Sequence, residues 1–258
     1  MSNPGKMLLT FLGTGTSMGV PVAGGFGPQH HVTDPRNNRY RCSAWIQSEQ
    51  RSFVIDAGPE FRLQTIRAGI KRIDGLMLTH EHTDHIAGLD DLRSYCYEQK
   101  KPVPVYTSAE TEKAVRQRFS YMFHPNKTPG SVNLDFIPWS HSIKDGDCTI
   151  TPLPVKHGKM DVMGFRINDI SYITDVNYIP EKTAEKIIGS KILVLSGLRW
   201  SPAHSTHYTI PEAVRVAESL NVEQTYLIHM SPYVDHATVS KKLPANVKLS
   251  YDQLEVVV

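Results

Sequence analysis

The sequence is poor in cysteine: only Cys42, Cys96 and Cys148 carry thiols, and they lie far apart. Three thiols cannot pair fully and none stands in CxxC spacing, which excludes a disulfide scaffold of the secreted kind. Long apolar runs are missing too. The first, Met7 to Leu12, is too short for a signal-peptide core and follows a single lysine. No stretch approaches the ~20 apolar residues that cross a bilayer. These absences predict an unanchored, cytoplasmic protein. Charge of one sign is also lacking, since 28 Lys and Arg face 26 Asp and Glu for a formal net charge of +2. That balance excludes a strongly basic nucleic-acid coat or a long acidic tail, though a local basic groove stays open. Neither Walker A nor GxGxxG spacing occurs. The glycines of Gly13-Thr-Gly-Thr-Ser-Met-Gly19 run into Val20-Pro21 where a helix would have to open, so they read as a turn.

What is present is a succession of short strands and helices over 258 residues, enough for a sizeable core. Strands are expected at Met7–Leu12, Ser43–Gln47, Ser52–Ile55 and Gly75–Thr79, then at Cys148–Val155, whose prolines suit a sheet edge. Further strands fit Gly164–Ile167, Ile170–Thr174, Ile192–Leu195, Thr225–His229 and Leu254–Val258. Helical patterns cover Glu60–Ala68, closed by Gly69, and Ser108–Tyr121, Pro180–Ile188 and Ile210–Leu220. The last has Thr209 as cap and Pro211 in its first turn. From Pro21 to Asn38 the chain is an aperiodic loop, long enough to suggest an accessory role. With no repeat and no long linker, this predicts a single α/β domain over residues 1–258, built of two sheet layers.

The chemistry is concentrated in Thr79-His80-Glu81-His82-Thr83-Asp84-His85, at the exit of an apolar strand. Period-two spacing puts His80, His82 and Asp84 on one side, and His85 opens the next turn. One segment can thus serve two adjacent cations, His80 and His82 gripping one, Asp84 and His85 the other. Imidazole and carboxylate donors suit zinc, manganese or iron. With 12 histidines in the chain, the pattern HxHxDH arises by accident in about one such sequence in a thousand. Additional ligands must come from elsewhere. His157, Asp175 and His229 are each the first metal-competent side chain beyond an apolar strand, and a carboxylate such as Asp175 can bridge two cations.

HxHxDH followed by a distant His, Asp and His resembles the metallo-β-lactamase superfamily. Gly13-Thr-Gly-Thr-Ser17, Gly19-Val-Pro21, Asp34-Pro-Arg-Asn37, Asp56-Ala-Gly58 and Gly88-Leu-Asp-Asp-Leu-Arg93 extend the likeness to its PhnP-type phosphodiesterase branch, related to the tRNA 3′-processing ribonucleases. The resemblance spans nearly the whole chain. It implies an αββα sandwich of two mixed sheets flanked by helices. It also implies two divalent ions, zinc or manganese: one on His80, His82 and His157, the other on Asp84, His85 and His229, with Asp175 bridging. His207 matches the histidine that approaches the scissile phosphate, and a homodimer is implied as well. Many members carry a cysteine cluster for a structural zinc after the GVP segment. This chain has Ala23-Gly-Gly-Phe-Gly-Pro-Gln-His-His31 there, so no such zinc is expected and His30 and His31 read as exposed loop residues.

The expected activity is hydrolysis of a small phosphodiester, cyclic ones included, by metal-activated hydroxide. Asp84 would orient the nucleophile, while His207 would protonate the leaving oxygen or stabilise the added negative charge. Arg36, Arg39, Arg41 and Arg93 are candidate phosphate clamps or solvated side chains. Competing readings are a lactone or thioester hydrolase on the same frame, an RNA-processing nuclease, and a non-catalytic metal-binding module.

Overall fold

In the computed structural model, residues 6–126, 130–139 and 141–258 are described. The first six strands are β1 (Leu8–Gly13), β2 (Ser43–Gln47), β3 (Ser52–Ile55), β4 (Gly75–Met77), β5 (Val103–Thr107) and β6 (Leu134–Pro138). There follow β7 (Ile143–Asp145), β8 (Cys148–His157), β9 (Met160–Ile167), β10 (Ile170–Ile173), β11 (Ile192–Ser196), β12 (Gln224–Ile228) and β13 (Val247–Leu249). The chain closes with β14 (Glu255–Val257). They form two seven-stranded mixed sheets, ordered β14-β1-β2-β3-β4-β5-β6 and β13-β12-β11-β10-β9-β8-β7.

Alternation of side chains along the strands builds three apolar layers. Leu9 and Phe11 of β1, Tyr172 of β10, Val194 of β11 and Ile228 of β12 meet in the core between the sheets. The opposite faces of β10, β11 and β12 turn Ile173, Leu193, Leu195 and Leu227 outward, against Ile210, Ala213, Ala217 and Leu220 of the Ile210–Leu220 helix. On the first sheet, Val54, Leu76 and Val105 lie beneath Phe61, Leu89 and Val115 from the covering helical segments. The result is the expected αββα sandwich.

Pro152 and Pro154 of β8 lie beyond the stretch paired to β7, which engages only Cys148–Ile150. Their missing N–H groups therefore cost no ladder bond on that side. The Ile210–Leu220 helix opens with a capping box. Thr209 Oγ1 accepts from the Glu212 N–H, and Glu212 Oε2 accepts from the Thr209 N–H at 2.8 Å. Thr209→Ala is expected to lower the unfolding free energy by about 1 kcal/mol, read from urea denaturation.

Three expectations need correction. The period-two arrangement ends at His82, because Asp84 and His85 lie in a helical turn, Thr83–Ile86, with His82 as its N-cap. The Pro21–Asn38 loop contains three short 3₁₀ turns, and His30 and His31 are half-buried in one of them rather than exposed. The strand expected at Gly164–Ile167 starts four residues earlier, at Met160, forming a long hairpin with β8.

Candidate metal centre

β3, β4 and β5 run parallel in one sheet, and β10, β11 and β12 run parallel in the other. Their C-terminal ends face a shared crevice, where open sheets place their ligands. Asp56 follows β3, the His80–His85 segment follows β4, Asp175 follows β10 and His229 follows β12. His157, the last residue of β8, arrives from the hairpin side. Asp56, Asp175 and His229 take left-handed backbone conformations, with φ of 60°, 49° and 58°. Each such residue costs on the order of 1 kcal/mol. In exchange the chain turns off the strand at once, aiming the side chain inward. Gly58 lets the Thr83–Ile86 turn pack directly on the segment after β3, since a Cβ there would collide with the Asp84 carbonyl oxygen.

All seven residues expected to bind metal are brought together. His80 Nε2 and His82 Nδ1 approach to 2.9 Å, and the His157 ring lies 5.4 Å from that of His82 and 5.9 Å from that of His80. His85 Nε2 lies 3.1 Å from Asp84 Oδ2 and 3.2 Å from Asp175 Oδ2, while His229 Nε2 lies 3.1 Å from Asp175 Oδ1. Asp175 also lies within 4.8 Å of a ring nitrogen of His80 and of one of His157, so it sits between the two groups of histidines. His207 joins them: its Nδ1 is 3.7 Å from Asp175 Oδ1, and its ring stacks on His229 with centroids 4.7 Å apart.

These residues fit metal ions. His85 Nε2, His207 Nδ1 and both ring nitrogens of His229 are buried without a hydrogen-bond partner among the described residues. Neighbouring bonds also orient the rings. Thr79 donates to both Asp56 oxygens, through N–H to Oδ1 and through Oγ1 to Oδ2, each at 2.9 Å. Its hydroxyl is then free to accept from His80 Nδ1 at 2.9 Å. His85 Nδ1 donates to Asp56 Oδ2 at 2.7 Å, and His157 Nδ1 donates to the Thr206 carbonyl at 2.8 Å. Each anchors Nδ1 and turns Nε2 toward the centre, as a ligating imidazole requires.

Asp56 was read from the sequence only as part of a turn. The rule that picks out Asp175 and His229, the first metal-competent side chain past an apolar strand, also selects it after Ser52–Ile55. Asp56→Ala removes the partner of His85 and releases the Thr79 hydroxyl that orients His80. Metal affinity is expected to fall about 10- to 100-fold, measured by competition with a chromophoric chelator. The four arginines contribute nothing here. Arg36 pairs with Asp34 and Arg93 with Asp90, Arg41 donates to the Ser17 carbonyl and pairs with Glu60, and Arg39 is buried elsewhere.

Burial alone would depress the His85 imidazole, but Asp56 and Asp175 outweigh it and hold it well above the ordinary histidine range. For Asp84 and Asp175 burial pulls upward, and the surrounding histidines outweigh it, keeping both carboxyls well below their usual range. His80 is held well below the histidine range, by burial first and His85 second. The metal-free site is therefore a histidinium between carboxylates at neutral pH. Because the His85 value is raised on folding, its stabilisation is complete below about pH 6.5 and is lost as pH climbs through the raised value. The two aspartates behave oppositely: their stabilisation is present above about pH 4 and is lost on acidification. Ligation requires His85 to give up its Nε2 proton. Metal binding at neutral pH is expected to release a proton, seen as a dependence of titration-calorimetry heats on buffer ionisation enthalpy.

A family model described as the beta-lactamase superfamily domain matches residues 51–230. Over 256 residues the chain is 32% identical to a Porphyromonas gingivalis protein named octanoyltransferase, covering 98% of this chain and 52% of that one. It is 27% identical over 259 residues to a Mycobacterium ribonuclease Z, covering 87% and 84% respectively. The chain spans about half the length of the first curated relatives it matches, 52% and 48%. Among solved structures, a diphosphatase of the PhnP family superposes with a TM-score of 0.90 at 35% identity, covering 98% of this chain and 97% of that one. Human short-form tRNase Z superposes with a TM-score of 0.69 at 16% identity, covering 96% and 98%, a likeness of fold alone.

Proposed function

Since this chain belongs to the β-lactamase superfamily and to its PhnP branch, whose fold implies divalent metal ions, we propose that it hydrolyses small phosphorus esters at a two-metal centre. The substrate class is a phosphodiester, cyclic ones included, or a diphosphate like that of the related diphosphatase. The observation supporting this reading is Asp175, a buried carboxylate whose ligand atom lies within 4.8 Å of those of His80 and His85 and of those of His157 and His207, and so within reach of both groups of histidines. His80, His82 and His157 would hold one ion and Asp84, His85 and His229 the other, with Asp175 shared. Zinc or manganese suits these donors.

When bound, such cations lower the pKa of a coordinated water and neutralise charge on phosphoryl oxygens. The protein's own part is placement. The Thr79 hydroxyl, Asp56 and the Thr206 carbonyl hold His80, His85 and His157 in one orientation each. Asp84, next to His85 Nε2, is positioned to orient the nucleophile by accepting its hydrogen. His207 is pulled down to about 3, by burial first and then by His229, so it stands as a neutral imidazole. In that state it offers a ring N–H to a phosphoryl or leaving oxygen.

The test is turnover by protein loaded with zinc or manganese. Its panel holds bis(p-nitrophenyl) phosphate, 2′,3′-cyclic nucleotides, ribose cyclic phosphates and nucleoside diphosphates, with lactone and thioester substrates alongside. Phosphorus esters are expected to be cleaved at rates abolished by chelation. Turnover confined to lactones or thioesters would overturn the proposal. Steeply salt-dependent cleavage of RNA, with no turnover of small esters, would shift the reading to a ribonuclease Z-like nuclease.

A further inference from the structure

The loop that carries His207 has no regular structure of its own: between β11 and the Ile210–Leu220 helix the chain runs without helix or strand. It nevertheless delivers two groups to the candidate metal centre. One is the His207 ring, and the other is the Thr206 carbonyl, which accepts from His157 Nδ1 at 2.8 Å. Partners outside the loop have to set it, because an unsupported loop samples many backbone conformations. A backbone bond fixes one end, where the Tyr208 N–H donates to the Val176 carbonyl at 2.8 Å. The other end is held by a side chain. Asn177 Nδ2 donates to the Ser205 carbonyl at 3.0 Å, so Thr206 and His207 lie between two anchors.

The same amide reaches a second segment. Asn177 Oδ1 accepts from the Gly158 N–H at 2.7 Å, in the turn that directly follows His157. Turn and loop touch at this point, since a Cβ on Gly158 would come within 2.9 Å of Thr206 Cγ2. Joining them takes an acceptor and an N–H donor on one short side chain, which neither alanine nor aspartate offers. Asn177 is in turn held by its backbone. Its N–H donates to the Lys156 carbonyl at 2.9 Å, and the Lys156 N–H donates to the Tyr178 carbonyl at 2.9 Å. The side chain is therefore presented from a fixed point two residues beyond Asp175. Its removal leaves the main-chain ties of that segment in place.

We infer that Asn177 is a positioning residue, locking the loop of Thr206 and His207 to the turn after β8 so that His157 and His207 keep their places. The inference rests on the proposed function, which gives His207 its contact with substrate. Partly exposed bonds such as these two are each worth about two- to tenfold.

The test is a double-mutant cycle on protein saturated with zinc or manganese. Asn177→Ala is expected to lower kcat about tenfold in the wild-type background, and less than about twofold once His207 is replaced by alanine. A residue that merely supports the fold would lower kcat by the same factor in both backgrounds, and that outcome would overturn the assignment. Asn177→Asp keeps the acceptor for Gly158 but not the donor for Ser205, so its kcat should stay low. A return to the wild-type value in that variant would overturn the assignment as well. A second readout needs no turnover. Competition with a chromophoric chelator should show Asn177→Ala binding metal about threefold or more weakly, because the Thr206 carbonyl no longer holds His157 firmly. Should wild type cleave no phosphorus ester, the proposed function fails by itself, and the chelator titration then decides on Asn177: unchanged affinity removes it from the centre.

Discussion

Asp175→Asn is expected to reduce turnover of phosphorus esters at least about 10³-fold and to cut the metal content from two ions per chain to one or fewer. The argument rests on shape against charge. Asparagine fills the same volume, but it replaces one of the oxygens facing His85 and His229 with an amide that cannot ligate. A loss of about 4 kcal/mol in transition-state stabilisation corresponds to that factor. Losing one of two cations that stabilise attacking and leaving oxygens is an effect of at least this size. The metal-free variant should remain folded, because Asp56, 2.7 Å from His85 Nδ1, still balances the histidinium. Circular dichroism of the stripped protein and elemental analysis of the loaded protein therefore separate a ligand from a folding residue. A variant with full metal content and near wild-type turnover would remove Asp175 from its bridging position.

The residues of the candidate metal centre were legible because their chemistry is written locally. HxHxDH occupies one segment, and His157, Asp175 and His229 each end an apolar run that β8, β10 and β12 confirm as strands. What the sequence concealed depends on long-range contact. Asp56 becomes an orienting group only because β3 lies beside β4 and brings its carboxylate under Thr79 and His85. The Thr206 carbonyl meets His157 across 49 residues, and a backbone oxygen has no signature in any alphabet of side chains. Strands were missed for equally physical reasons. β5 contains Pro104, which masks a strand pattern, and β7 and β13 are three residues long, too short for alternation to register. Arg39 reads as one more basic residue until the fold seals it between Val20, Asn37 and Val234.

His207→Ala should lower kcat about 10²- to 10⁴-fold with metal content unchanged. The size of the loss ought to depend on the leaving group. His207 is held rigidly: the adjoining Tyr208 N–H donates to Val176 O at 2.8 Å, and the Thr209 capping box follows at once. Its ring is packed between His157, at a centroid distance of 4.5 Å, and His229. A donor so fixed can serve the leaving oxygen or the phosphoryl oxygens, and these roles respond differently to substrate. p-Nitrophenolate departs without a proton, so a proton donor matters little for bis(p-nitrophenyl) phosphate and much for a nucleoside leaving group. A hydrogen bond to phosphoryl oxygens matters equally for both. The neutral imidazole in this structure favours the second role, with equal defects on the two substrates and partial recovery in His207→Gln, whose amide keeps an N–H. Loss of metal from His207→Ala would instead make it a ligand, consistent with its grouping beside His157 and Asp175. A fall of less than about threefold on both substrates would take His207 out of the chemistry altogether, since a positioned donor is worth far more.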